Sequence, residues 1–150
     1  MKRDDALKLS FQVMTEIAII GHLADTALGK ALPPELSVAG FGVLNHFVRL
    51  NVEGESPARL ARAFQVTKGA MTYTLQQLEE LGYVAIAPDP ADARAKIVRI
   101  TKRGRKARDE GAARVNPGML ALLDVIGVED FARALPFLVK LRQILDAARD

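Results

Sequence analysis

Residues Val66–Thr101 read VTKGAMTYTLQQLEELGYVAIAPDPADARAKIVRIT. Met71, Leu75, Leu78 and Leu81 are spaced by four, three and three, the period of a buried helical face. Thr67 precedes this run as a capping hydroxyl. Gly82 follows it where a left-handed residue ends a helix. Tyr83, Val84 and Ile86 then start a strand-like run. Asp89-Pro90 and Asp92 mark a turn. Lys96-Ile97-Val98-Arg99-Ile100 reads as the return strand. The stretch therefore predicts a helix followed at once by a two-stranded ribbon with a basic tip.

Just upstream, Ser56-Pro57 is a strong helix start: a hydroxyl cap, then proline at the first helical position. The short helix that follows buries Leu60, Ala61 and Phe64. Gln65-Val66 is a tight turn. Two helices, about 57–64 and 68–81, joined by so short a connection have helix-turn-helix geometry. With the ribbon behind them they make a winged helix-turn-helix. In that motif the second helix enters the major groove and its first residues meet base edges.

The flanks read as helical. Asp4 to about Gly29 forms one long helix, with Leu7, Phe11, Met14 and Ala18 on a stripe that Ile17, Ile20 and Leu23 widen. Leu32-Pro33-Pro34-Glu35 breaks it. Ser37 caps a second helix whose buried stripe is Val38, Phe41, Leu44 and Val48, flanked by Phe47. Asn51 to Glu55 reads as a turn. Thr101 caps a further helix, which Asn116-Pro117 is expected to kink or split and Gly127 to end. The last helix, about Glu129 to Ala148, carries Phe131, Leu135, Leu138, Leu141 and Leu145, with a bend expected at Pro136. The predicted fold is mainly α with a small antiparallel β-wing. Residues 1–35 and 102–150 are expected to form a dimerisation domain, and residues 36–101 the DNA-binding lobe. The plainer alternative is that the terminal helices pack only on their own chain.

Composition narrows the function. Apolar residues at 49% and charged residues at 26% describe a globular chain. Cysteine is absent, which excludes disulfides, thiolate metal sites, a cysteine nucleophile and thiol redox switching. The N-terminal residues lack the pattern of a signal peptide, and no apolar run is long enough to span a bilayer. The cytoplasm is the expected compartment. The net charge is only +3, but residues 59–108 hold eleven Lys/Arg against four Asp/Glu, a net +7, while each flank is −2. Positive charge gathered on the helix-turn-helix and ribbon is the footprint of a polyanion-binding surface. A basic face that is merely solvated is the competing reading.

Four elements in register carry a family resemblance. They are Ser56-Pro57-Ala58-Arg59-Leu60-Ala61, Leu78-Glu79-Glu80-Leu81-Gly82-Tyr83-Val84, Asp89-Pro90-Ala91-Asp92-Ala93-Arg94 and Ile100-Thr101-Lys102-Arg103-Gly104-Arg105. With these the chain resembles the MarR family of winged-helix transcription factors across residues 36–105. The resemblance implies a homodimer on a pseudo-palindromic operator. It also implies a repressor that is released when a small, often aromatic, effector binds between the dimer arms and the DNA-binding lobes. The family often has two successive basic residues at the wing tip; here Ala93 precedes Arg94. The prolines at 117 and 136 also depart from the pattern.

Candidate DNA contacts follow from position. Lys68, Gly69, Thr72, Tyr73 and Gln76 lie off the apolar stripe near the start of the second motif helix. Their hydroxyls and amides can read base edges, and Gly69 allows close approach of a phosphate. Arg94 is the wing-tip arginine for the minor groove or a phosphate. Asp92 is expected to hold Arg94 or the turn backbone. Lys96 and Arg99 are backbone candidates on the strand after the tip, and Arg59, Arg62, Lys102, Arg103 and Arg105 are phosphate candidates. Plain solvent exposure is the alternative for each. His22 and His46 are candidates for an effector pocket or a pH-sensitive pair, with ordinary partly buried histidines the simpler reading. No spacing supports a metal site, and no cofactor is expected. The chain has no nucleophile–base pattern and no Gly-rich phosphate loop, which speaks against an enzyme. A winged-helix module that binds protein, or an activator without small-molecule control, remains as the alternative to a ligand-responsive repressor.

Overall fold

Thr67, Ser37, Ser56 and Thr101 each accept the amide three residues on, at 3.1, 3.0, 3.2 and 3.0 Å, so four helices start where a hydroxyl waits for them. The computed structural model describes residues 1–149. The elements run α1 Arg3–Ala31, α2 Val38–Leu50, β1 Gly54–Glu55, α3 Pro57–Phe64, α4 Lys68–Glu80, β2 Val84–Asp89, β3 Asp92–Ile100, α5 Lys102–Ile126 and α6 Val128–Ala147. The sheet is antiparallel, in the order β1-β3-β2. The chain divides into two compact units, Met1–Arg114 and the part from Val115 onward, with the boundary inside α5.

The core of the first unit is built on α2, α3, α4 and the sheet. Phe47, Leu44, Leu60, Leu75, Leu78, Val43 and Val98 are fully buried. Each such side chain contributes about 1.5–3 kcal/mol relative to exposure, which fixes the four elements on one another. Met71, Leu75 and Leu78 are buried as the sequence stripe predicts, joined by Thr74. Leu81 is the C-cap, and Gly82 follows with φ +75°.

Five expectations need correcting. The buried face of α2 is centred on Val43, Leu44 and Phe47, while Val38 and Val48 lie at its margin. The face is therefore turned toward α3 and α4. The turn after Asn51 contains β1, where Gly54 pairs with Arg99 and Glu55 with Val98. So short a strand exists only through its partner, and nothing local announces it. The return strand starts at Asp92, four residues before the expected position. Tyr83 precedes the strand that it was expected to open. Finally, of the kink or split expected at Pro117 the split is excluded, since α5 continues through it as α6 does through Pro136. A proline already has helical φ and removes one amide donor. Ala113 and Ala132, whose carbonyls lose that donor, are exposed and open to water.

One close approach locks the end of α4 to the start of α5. The Thr101 hydroxyl donates to the Gly82 carbonyl at 2.6 Å, and the Thr101 amide donates to the Tyr83 carbonyl at 3.1 Å. Gly104 packs so tightly on Tyr83 that a Cβ there would overlap its carbonyl. Only glycine fits that position.

Candidate nucleic-acid interface

The turn between α3 and α4 sets the presentation of the second motif helix. Gln65 takes a left-handed conformation, φ 53°, and its side-chain amide donates to the Arg62 carbonyl at 2.7 Å. The Val66 amide closes the turn on Ala61 at 3.0 Å. Once Met71, Leu75 and Leu78 are buried, Lys68, Gly69, Thr72, Tyr73 and Gln76 must face solvent, and all five are exposed.

Lys68, Thr72 and Gln76 are spaced four apart and share one stripe of α4. That stripe forms one wall of a groove of about 560 Å³. The wing forms the opposite wall through Ile86, Pro88, Arg94 and Lys96, and Pro57 at the start of α3 closes one side. The groove thus gathers Lys68, Thr72, Gln76, Arg94 and Lys96 from segments up to 28 positions apart in sequence. Tyr73 and Gly69 lie on the neighbouring stripe, outside the groove. Tyr73 is 63% exposed, and its hydroxyl accepts from the Gln77 amide at 3.0 Å. A Cβ on Gly69 would meet nothing within 4 Å, so packing does not require glycine there.

At the wing tip, Asp89 accepts the Ala91 amide at 2.9 Å and Asp92 accepts the Arg94 amide at 3.0 Å. The same Asp92 oxygen lies 3.6 Å from Arg94 Nε. The Arg94 side chain is 95% exposed, so this ion pair is weak and orients the arginine without holding it. Arg59 and Arg99 stand apart from the groove. Arg59 pairs with Glu55 at 3.3 Å, and Arg99 sits opposite Gly54 on the β1 side of the sheet. Arg103 lies over the Tyr83 ring, 5.9 Å from its centroid.

The two histidines do not form a pair. His22 is exposed on α1, and its carbonyl accepts the Thr26 hydroxyl. His46 is buried in the lobe, edge-on to Phe47 at 6.1 Å and tilted against Phe64 at 5.5 Å. Its Nε2 has no hydrogen-bond partner. Burial, helped by Arg49 and opposed by Glu55, lowers its pKa below that of an ordinary histidine. Among the described residues no group of three or more His, Asp or Glu side chains is placed to hold a metal.

One groove residue was not legible as such. Glu79 lines it, and its Oε2 accepts the Ile86 amide of β2 at 3.1 Å. In the sequence it is one more exposed glutamate late in a helix, and its partner is set only by the fold.

A helix-turn-helix whose second helix faces an antiparallel wing across a basic groove defines the winged-helix class of DNA-binding regulators. The MarR family model matches residues 46–95, which span the motif and reach the wing tip. The structure is similar to that of the transcriptional regulator BldR from Sulfolobus solfataricus, at 28% identity and a TM-score of 0.73, over 93% of this chain and 99% of that one. It shares its fold with the organohalide-sensing regulator RdhR in a 2,4-dichlorophenol-bound form, at 17% identity and a TM-score of 0.71, over 97% and 86% of the two chains. It also shares its fold with a variant of MepR from S. aureus bound to an oligodeoxyribonucleotide, at 18% identity and a TM-score of 0.60, over 89% and 97%. The match over residues 46–95 and the similarity to BldR across nearly the whole chain support a MarR-family winged-helix transcriptional regulator.

Proposed function

We propose that the chain is a ligand-responsive repressor that binds a pseudo-palindromic operator as a homodimer. The observation that carries this reading is the groove that gathers Lys68, Thr72 and Gln76 on α4 with Arg94 and Lys96 on the wing. A duplex that places its major groove on α4 brings a phosphate backbone between the two walls. Lys68, Gly69, Thr72, Tyr73 and Gln76 then read or approach bases, and Arg94 enters the minor groove. Lys96 holds the backbone. Arg59 and Arg99 add to the field from outside, Arg59 after release from Glu55, and Asp92 aims Arg94.

Dimerisation is supported by the apolar faces of the terminal helices. On α1, Leu7, Phe11, Ile20 and Leu23 are exposed, and on α6 so are Phe131, Leu135, Leu138 and Leu145. Single chains rarely leave so many large apolar side chains in water. We assign residues 1–35 and 102–150 to the dimer arms and residues 36–101 to the reading lobe. Response to a small aromatic effector is supported by the fold shared with the dichlorophenol-bound regulator. No helix of the described residues is long and apolar enough to cross a membrane. We place the protein in the cytoplasm with its DNA.

Selection of bound duplexes from a genomic pool tests this reading. The expected product is a pair of half-sites about one helical turn apart. Small aromatic acids are then screened for release. With about six phosphates neutralised, log K should fall against log salt with a slope near −5. A slope near zero would remove the electrostatic basis. Binding to a protein partner, with Lys68→Glu and Arg94→Ala both silent on DNA, would favour the interaction-module alternative. Increased transcription from the bound site would make the chain an activator.

A further inference from the structure

We propose that Glu79 is a positioning residue that sets the wing against the reading helix, so that one duplex meets both at the correct separation. This inference rests on the DNA-binding reading above. β2 is an edge strand, since β3 lies between it and β1. Successive residues of an edge strand point their amides alternately into the sheet and out from its edge. The Ile86 amide points outward, and Glu79 Oε2 takes it at 3.1 Å. Two residues on, the position with the same orientation is Pro88, which has no amide to offer. The outer half of this edge therefore has one donor, and the reading helix supplies its acceptor.

The place of this bond along the ribbon gives it leverage. Val84 and Val98 are buried, and Ile86 is the outermost β2 residue packed against the core. Beyond it the ribbon carries exposed Ala87 and Pro88 toward the tip and Arg94. The tip lies about 10 Å from Ile86, at roughly 3.3 Å per residue. A small change of angle at Ile86 thus moves Arg94 by ångströms. The covalent link through Leu81, Gly82 and Tyr83 and the buried Val84 and Val98 hold the base of the ribbon, and the Glu79 bond adds a direct tie to α4 further out.

The charge of Glu79 argues for the same role. A carboxylate lining a groove with Lys68, Arg94 and Lys96 repels the phosphate that those cations attract. Phosphate binding alone disfavours an acid there; a backbone acceptor does not need the charge. The two properties separate cleanly. Glu79→Gln keeps a carbonyl oxygen for the Ile86 amide and removes the negative charge. Glu79→Ala and Glu79→Met remove the acceptor, and both are good helix formers.

The test uses the full-length protein, the selected operator and a scrambled duplex. Glu79→Ala and Glu79→Met should each lower the operator-to-scrambled affinity ratio by about tenfold, the scale of one hydrogen bond to a charged acceptor. Glu79→Gln should restore that ratio while tightening both duplexes alike. In an Arg94→Ala background the Glu79→Ala loss should shrink, because the wing then has no arginine to deliver. Amide exchange at Ile86 in the DNA-free protein should accelerate in the Ala and Met variants and stay slow in the Gln variant. Unchanged Ile86 exchange in Glu79→Ala, a preserved affinity ratio, or additive losses with Arg94→Ala would each overturn the proposal. If the wild-type protein fails to distinguish the duplexes, the DNA-binding reading falls, while Ile86 exchange still shows whether the latch exists.

Discussion

Arg94 and Gly69 show how far single residues determine this interface. Ala93 carries no charge, so Arg94 is the one cation at the wing tip itself. Arg94→Ala should flatten the salt slope of operator binding by about two per dimer, one lost cation on each wing. Parallel titrations of wild type and variant measure this. Gly69 is the second residue of α4, and a Cβ there would meet nothing within 4 Å, so alanine fits without strain and restricts the unfolded chain. Gly69→Ala should therefore raise the melting stability of the free protein by about 0.5–1 kcal/mol. If a phosphate passes close to that backbone, the same change weakens operator binding. Opposite signs in the melt and in the binding isotherm are the expected result. The caps were legible at this scale because a cap is a bond between residues three apart. The acceptor role of Glu79 toward Ile86 was not, because those two residues meet only after α4 and β2 are placed.

At the scale of elements, α2 holds the least expected feature. His46 occupies a core position between two phenylalanines with Nε2 unpaired. The periodic reading centred the buried face elsewhere, and so left this histidine a candidate ligand. Its consequence is a pH dependence of stability. The folded lobe favours neutral imidazole, while the unfolded chain titrates near pH 6.5. Below that pH the unfolded state binds more protons, and stability falls as pH drops from about 6.5 until the lowered folded pKa is passed. Above pH 6.5 this contribution is fully present. Denaturant midpoints measured from pH 7.5 down to pH 5 should decline in the wild type, and less so in His46→Leu. An equal decline in both would assign the effect to other groups. The β1 strand and the uninterrupted prolines belong to this scale as well. Two residues have no periodicity to read, and a proline's effect depends on whether its freed carbonyl reaches water.

For the molecule as a whole, the apolar surface is the feature that a single chain leaves unexplained. Phe11→Lys on α1 and Leu135→Lys on α6 replace exposed apolar side chains, so neither should unfold the chain that carries it. Each should shift the sedimentation profile from dimer toward monomer. Melting of the lobe core around Phe47 and Leu60 should stay within about 0.5 kcal/mol of wild type, as for ordinary surface changes. A dimer that survives both substitutions would return the arms to their own chain. The fold class was readable because helix period, turn chemistry and charge distribution agreed on one stretch. The groove was not, because its two walls come from α4 and the wing and meet only in the folded lobe.

The contact between Gly104 and the Tyr83 carbonyl leaves no clearance between the end of the reading helix and the start of α5. A joint packed this closely resists compression. Thr101 spans it with one hydroxyl and one amide, each donating to a carbonyl on the far side of the joint. The first turn of α5 therefore has no room to move closer to the Tyr83 carbonyl. Any side chain placed at residue 104 must therefore displace the start of α5 or the Tyr83 carbonyl, and with it the end of α4.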